Sequence, residues 1–356
     1  MYFYVTEACN LNCRHCWVSA GQPASPTLQP AEIVNVLHQL NDAGTKKVKF
    51  SGGEPFARPD FCEILESIQD SKMMIEIDTN GYRRLSMDEK GVLQTLDVRL
   101  NISIDSPNPN IHDAFRGTGG ALERTLSTMH ECCDLNVPFR VVTCCQENNA
   151  LPPLIELSMK VGAERVRIIS DIMPVGRADS GFSCMEIQNI IDRYRVIADC
   201  QEQYRDYVSS TVPPAFARRS EFERDCRWGV TVCSVLSNGD IGPCGIGKHF
   251  PELIAGNVRS DDILDIWSYS PLFVRMRNID LHKLDGVCGL CRFSDSCGGM
   301  CRAFTYSRYR SLNAPYPPCQ DIYDSGLFPP DALRANAQVG IIDSEELAGG
   351  IPLPLR

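Results

Sequence analysis

The sequence predicts an α/β protein: a partial (β/α)6 barrel followed by a cysteine-rich C-terminal domain. Three observations carry that expectation. Short apolar runs alternate with helical periods about six times within roughly the first 170 residues, which demands a parallel sheet with helices packed on it. The eighteen cysteines are unevenly spread, crowded near the N-terminus and again in the last third, and scattered in between. The segments of unusual composition in the first half all fall at the C-terminal ends of strands, the face that carries active sites in barrels of this kind.

Taken in order, Tyr2–Thr6 is an apolar strand that runs into the first cysteine group. Pro30–Ala43 sets Ile33, Val34, Leu37 and Leu40 on one helical face, with Gly44 as its C-terminal cap. Val48, Phe50 and Ser51 form the second strand, and Arg58–Asp70 the second helix through Phe61, Ile64, Leu65 and Ile68. Met73–Asp78 is a strand, Ser86–Leu96 a helix, Val98–Asp105 a strand and Ala121–Leu135 a helix. Strands Phe139–Cys145 and Val166–Ser170 flank a helix that Pro152 and Pro153 start. Beyond Gly181 the pattern changes: Met185–Val208 reads as one long helix with Ile187, Ile190, Ile191, Tyr194 and Ile197 in a stripe, ended by Pro213-Pro214. The expected division is 1–181 barrel, 182–225 helical linker, 226–321 cysteine-rich domain and 322–356 surface tail. A cysteine-rich segment of about 95 residues builds too small a core to stand alone, so metal centres would staple it.

With 43% hydrophobic and 22% charged residues, disorder, collagen and coiled coil are excluded. No apolar run approaches the ~20 residues that cross a bilayer, and no signal peptide is visible, so the expectation is a cytoplasmic protein without a membrane partner. A net charge of −10 argues against a nucleic-acid partner. In a reducing cytosol thiols stay free, and so many of them point to metal ligation or redox chemistry rather than disulfides.

Cys9, Cys13 and Cys16 lie in Cys-Asn-Leu-Asn-Cys-Arg-His-Cys directly after the first strand. Three thiolates are one short of a closed zinc site, with His15 the alternative fourth ligand. On an iron–sulfur cubane they leave one iron open for something else to bind. This Cys-x3-Cys-x2-Cys order resembles the radical S-adenosylmethionine (SAM) family. The resemblance implies that the open iron chelates SAM, which on one-electron reduction yields a 5′-deoxyadenosyl radical that takes hydrogen from a substrate. Ser51-Gly52-Gly53-Glu54-Pro55 ends the second strand, where the glycines admit close approach and Glu54 offers a fixed carboxylate for an ammonium group. The family places this segment at the methionyl amino group. Asn80 in Asp78-Thr79-Asn80-Gly81, with Ser103 and Asp105 at the end of the fourth strand, matches positions that reach the ribose hydroxyls. Arg116 matches one that holds the methionyl carboxylate, and Arg177, in Pro174-Val-Gly-Arg-Ala178, one on the adenine side.

In the last third, Cys288-x2-Cys291-x5-Cys297-x3-Cys301 is followed by Cys319, and upstream Cys226 precedes an Asn238-Gly239 hairpin turn and Cys244. Paired cysteine knuckles also suit a zinc ribbon. The whole array is similar to the SPASM extension of radical SAM enzymes that modify peptides. That similarity implies two auxiliary 4Fe–4S clusters, the first on Cys226, Cys244 and Cys301 and the second on Cys288, Cys291, Cys297 and Cys319. Cys233 is either a further ligand of the first or a small apolar strand residue. The implied cofactors are therefore SAM and three 4Fe–4S clusters.

The function expected is radical modification of a ribosomally made peptide or protein by crosslinking, epimerisation, oxidation or backbone excision. With only eight residues ahead of Cys9 there is no room for an N-terminal recognition domain. The expected partners are thus the precursor, a separate small peptide-recognition protein, and a flavodoxin or ferredoxin-type reductant. The alternative is a radical dehydrogenase or epimerase acting on a small molecule such as an aminoglycoside, which the complete cysteine array disfavours. A ferredoxin-like electron carrier would leave the barrel motifs unexplained. No catalytic acid, base or hydrogen donor is assigned, and Cys184, Cys200, Tyr306 and Tyr309 read as packing residues.

Overall fold

A computed structural model of the chain describes residues 1–21, 26–144, 148–178, 186–218 and 226–335. The β/α alternation appears as β1 (Tyr2–Thr6), α1 (Pro30–Asp42), β2 (Lys47–Gly52), α2 (Phe61–Glu66), β3 (Met74–Thr79), α3 (Met87–Thr95) and β4 (Val98–Ser103). It continues through α4 (Pro109–Arg116), α5 (Ala121–Asp134), β5 (Phe139–Thr143), α6 (Leu151–Lys160) and β6 (Val166–Ile168). Successive strands from β1 to β6 pair in parallel, as helical crossovers require.

The period-two alternation of each strand decides what the two faces of the sheet are made of. Val48, Phe50, Ile75, Ile77, Val98, Leu100, Ile102, Val141, Val166 and Ile168 are buried in the core under the helices. The residues between them are charged or polar and meet across the strands on the concave face. Lys49 Nζ lies 2.9 Å from Asp78, and Glu76 is shared by Lys47 at 3.3 Å and Arg140 at 3.5 Å. Asn101 donates to Asp78 at 3.0 Å. A closed (β/α)8 barrel fills this space with branched apolar side chains; here the wall is left polar and of mixed charge.

Three elements depart from the sequence expectation. Helix α4 has only His112 and Arg116 buried, so it carries no apolar stripe to reveal it; Asn108 caps its start, Pro109 opens it and Gly117 at φ 72° ends it. Helix α2 is shorter than Arg58–Asp70, because a turn at Pro55–Ala57 and irregular backbone take up its flanks. The long helix is α7 (Ile187–Tyr204), and the chain then forms β7 (Val208–Ser210), which pairs in parallel with β6. Three residues with two serines give no alternation to read, so the linker's contribution to the sheet was hidden.

At the other edge, β8 (Ser234–Val235) runs parallel to β1 and turns back through Asn238-Gly239 into β9 (Asp240–Gly242), which pairs with β10 (Gly256–Asn257). The result is one ten-stranded sheet in the order β10-β9-β8-β1-β2-β3-β4-β5-β6-β7. The cysteine-rich segment thus begins as an extension of the barrel's own sheet. Beyond it come only short helices: α8 (Ile263–Tyr269), α9 (Pro271–Arg277), α10 (Gly286–Leu290), α11 (Ser294–Cys297), α12 (Arg302–Tyr309) and α13 (Pro317–Asp324). Helix α7 packs between α6 and α13 and so joins the two regions. Among the described residues no helix is long and apolar enough to cross a membrane.

Leu100 lies fully buried at the centre of β4. Leu100→Ala should cost about 2–5 kcal/mol, the range for a truncated core leucine, read as a lower urea midpoint.

Candidate active site

The loop carrying Cys9, Cys13 and Cys16 is fastened to the strand ends by backbone groups. Gly53 N–H donates to Thr6 O and Glu54 N–H to Ala8 O, both at 2.8 Å. The approach is so close that a Cβ on Gly52, at φ 120°, would lie 2.3 Å from Thr6 O, and one on Gly53 would lie 2.0 Å from Ala8 O. Both glycines are thus required by the chain's own backbone, whatever ligand also meets them. On the far side Arg177 donates from Nε to Cys13 O at 2.9 Å and from Nη1 to Ala20 O at 2.5 Å. It acts on the loop as a clamp.

The three thiols lie close enough to repel one another as thiolates. Burial, outweighing a hydrogen bond from Leu11 N–H, pushes the Cys9 thiol up to about 11, with Glu54, Cys13 and Cys16 adding to the rise. Burial also raises Cys13, against the opposing guanidinium of Arg116. N–H groups point at the sulfurs: Ala20 N to Cys16 Sγ at 3.4 Å, Arg116 Nη1 to Cys13 Sγ at 3.8 Å and Asn80 Nδ2 to Cys9 Sγ at 3.9 Å. Soft, mutually repelling donors with hydrogen bonds to sulfur fit an iron–sulfur cluster, which supplies the missing positive charge. His15 does not join them. It stacks on Phe115 at 4.2 Å, and its ligating atoms lie within 4.8 Å of those of Asp105 and Cys144. Arg116 already supplies the cation beside that carboxylate, and burial lowers His15 to about 4.

Around this loop the strand ends set out polar groups. Glu54 is fully enclosed and accepts from Thr79 Oγ1 and Asn80 N at 2.8 Å and from Phe56 N at 3.3 Å. Burial nevertheless pushes its carboxyl up to about 7. Asn80 Nδ2 donates to Asn10 at 2.8 Å. Asp105 and Arg116 form a buried ion pair at 2.7 Å, and Cys144 N–H donates to the same carboxylate at 2.8 Å. Arg116 Nε is buried with no hydrogen-bond partner, the kind of orphaned donor that a ligand carboxylate would satisfy. Ser103 is half-buried at the end of β4.

The C-terminal cysteines form two groups. Cys244 has Cys301 and Cys226 as its charged neighbours. Cys288, Cys291, Cys297 and Cys319 line one pocket, partly open to solvent, together with Pro213, Phe293 and Tyr316. Tyr316 N–H donates to Cys288 Sγ at 3.3 Å and Phe293 N–H to Cys291 Sγ at 3.4 Å. Four converging thiols with room between them and N–H donors on the sulfurs fit a cluster there.

Cys233 stands apart. Ser234 pairs with Gly242, so these two share one face of the hairpin, and the chain bends at Pro243 and Cys244. Alternation sends Cys233 to the other face. Its electrostatic neighbours are the N-terminus and Arg277, and its sulfur packs on Met1, 3.7 Å from Sδ. Cys184 lies outside the described residues. Cys200 is buried in α7, while Tyr306 donates to Glu252 at 3.1 Å.

Sequence reasoning missed Tyr4, Asp171 and Tyr316. Tyr4 accepts from Gly245 N at 3.1 Å and meets Trp17 edge-on at 6.4 Å, linking the loop to the Cys244 region. Asp171 accepts from Ser170, Tyr194 and Tyr316 at 2.6–3.0 Å. Its place just past β6, at the active-site end, was the available signal.

A strand-end thiol loop, with two further thiol groups in the short-helix region that follows the sheet, is an arrangement suited to an enzyme built around iron–sulfur clusters. Residues 3–148 match the radical SAM superfamily and 226–292 the SPASM iron–sulfur cluster-binding domain. The chain thus carries a radical SAM domain followed by a SPASM domain. It is 28% identical over 347 residues to the AdoMet-dependent heme synthase of Methanosarcina barkeri, covering 90% of this chain and 95% of that one. It is 28% identical over 331 residues to the mycofactocin maturase MftC of Mycobacterium tuberculosis, covering 88% and 81%. Its fold matches that of Streptococcus suis SuiB bound to the precursor peptide SuiA, with a TM-score of 0.73, 18% identity, and coverage of 90% of this chain and 75% of that one.

The enclosed Glu54 makes a pH prediction. Its folded value of about 7 lies above the ordinary 4.5, so the folded state holds this proton more tightly than the unfolded. Its contribution to stability therefore falls as pH rises through that window, by on the order of 3 kcal/mol in all. Urea unfolding of the iron-free protein at pH 5 and pH 8 should show Glu54→Gln losing this part of the pH dependence.

Proposed function

We propose that this radical SAM enzyme modifies a peptide or protein substrate, held over the concave face between the N-terminal and C-terminal thiol groups. The observation that carries the reading is the wall itself. Lys49, Asp78 and Arg140 present partly exposed charge of both signs, set over the buried Glu76 and Asn101. A polyamide with polar side chains finds partners on such a surface. The maturase relative MftC and the peptide-bound SuiB fold support the same reading.

Bound at Cys9, Cys13 and Cys16, a 4Fe–4S cluster with SAM would supply a 5′-deoxyadenosyl radical; a reduced flavodoxin or ferredoxin would deliver the electron. The chain's own part is to bind and orient. Glu54 would receive the methionyl ammonium, Arg116 Nε the carboxylate, and Asn80, Ser103 and Asp105 the ribose side, while Arg177 keeps the loop closed over the strand ends. Cys226, Cys244 and Cys301, and separately Cys288, Cys291, Cys297 and Cys319, would hold the auxiliary clusters.

A second reading is favoured by the identity to heme synthases over nearly the whole of both chains. A heme precursor, however, presents a broad apolar ring edged with acids, and the wall it would face carries Glu76 and Asp78. Incubating reduced enzyme and SAM with a candidate precursor peptide, and separately with an iron porphyrin precursor, decides between them by mass spectrometry. Heme formation without any peptide mass change would overturn the proposal.

The reconstituted protein should hold about twelve irons per chain, four for each of three cubanes; stoichiometric zinc would refute the cluster assignment. Cys13→Ala should abolish 5′-deoxyadenosine formation. Cys297→Ala, if soluble, should still form it while yielding little modified product, as chromatography of both species would show.

A further inference from the structure

Arg302 opens α12 immediately after Cys301, and its side chain is 4% exposed. Nη1 donates to Ala314 O at 2.7 Å and Leu312 O at 3.2 Å, and Nη2 to Gly299 O. Its Nε is buried with no hydrogen-bond partner. Among the described residues no carboxylate pairs with it. The charged neighbours it does have are all thiols: Cys288 and Cys297 from one auxiliary group and Cys301 from the other.

A guanidinium enclosed by neutral carbonyls and thiols, with a hydrogen bond to Cys288, is an expensive arrangement, because desolvating a charge costs several kcal/mol unless an opposite charge faces it. Beside the first thiol loop, Arg116 has its answer in Asp105. At Arg302 the groups of the described residues placed to answer it are the sulfurs of Cys288, Cys297 and Cys301 once they are ionised. The protein makes them anionic when they are metal-ligated, and a fixed cation nearby then favours the more negative, reduced form of a cluster.

We propose that Arg302 is a shared counter-charge of the two auxiliary cysteine groups, raising the reduction potential of both clusters and tying their electron affinities together. This rests on the reading that both groups hold iron–sulfur clusters. Arg302 is a positioning and tuning residue and touches no substrate.

The test uses the full chain, anaerobically reconstituted, as wild type, Arg302→Gln and Arg302→Lys, with iron and sulfide content and EPR-monitored redox titration as readouts. In Arg302→Gln the reduced-to-oxidised ratio at a fixed potential should fall at least tenfold for both auxiliary signals, a shift of about 59 mV for a one-electron couple. The N-terminal cluster's potential, remote from Arg302, serves as the internal reference. Arg302→Lys keeps the charge and should recover most of the shift. Unchanged potentials, a shift in one auxiliary signal only, or equal shifts in the Gln and Lys variants would overturn the proposal. If Arg302→Gln loads poorly, the iron deficit must fall on both auxiliary groups and be relieved in Arg302→Lys. A deficit confined to the Cys288 group would overturn it as well. Wild-type protein holding about four irons would instead refute the auxiliary-cluster reading before Arg302 is altered.

Discussion

The structure depends on the two hydrogen bonds by which Gly53 and Glu54 hold Thr6 and Ala8. They fasten the first cysteine loop onto the end of β2 so tightly that neither Gly52 nor Gly53 can carry a side chain. Because Glu54 follows directly, the same contact fixes where its carboxylate points, and that carboxylate in turn receives Asn80 N–H and Thr79 Oγ1 from β3. One strand-end contact therefore aligns the thiols, the acid and the next strand's polar end. Gly117 and Gly176 repeat the device elsewhere on the loop, each bringing backbone to where a Cβ would meet Asn12 O or Trp17 O at 2.4 Å.

Charge is then distributed over this frame according to enclosure. On the concave wall, Lys47, Lys49 and Arg140 neutralise the partly exposed Asp78 and the buried Glu76. Nearer the thiols the groups are enclosed and each needs an explicit partner: Asp105 has Arg116, Glu54 has donors on three sides, and Arg177 has loop carbonyls. Of the buried guanidinium nitrogens without a hydrogen-bond partner, Arg116 Nε and Arg302 Nε sit beside cysteine groups, while Arg140 Nε lies on the wall near Glu76. An anion held at the cysteine groups would answer the first two.

Much of this was legible in the sequence, for identifiable reasons. The strands β1 to β5 and helices α1, α3 and α5 were readable because apolar residues recur at clear periods, and the cysteine groups because their spacing is dense and local. Helix α4 and strand β7 were not, since one buries two polar residues and the other is three residues long. The partners inside the site were also hidden: Arg116 answers Asp105 across the turn and helix that follow β4, and Arg177 grips carbonyls of the cysteine loop more than 150 positions away. Cys233 shows the limit most simply. Its spacing allowed ligation; that it faces Met1 and Arg277 depends on the hairpin's register, pairing Ser234 with Gly242.

That register also explains why the cysteine-rich region works with the barrel rather than merely following it. Since β8 lies beside β1, the backbone leaving β9 carries Cys244 past Tyr4, whose hydroxyl accepts Gly245 N–H and whose ring meets Trp17 of the first cysteine loop. His249 closes the same junction on Trp17 O at 2.5 Å, and a Cβ on Gly245 would come within 2.6 Å of the Tyr4 ring. The first cysteine loop and the turn that carries Cys244 thus meet through Tyr4, Trp17 and His249 beside a continuous sheet. A hinge there would let the separation vary, and with it any electron exchange between the two. Building the junction from strand pairing instead fixes that distance, so that motion needed to admit a substrate must occur elsewhere.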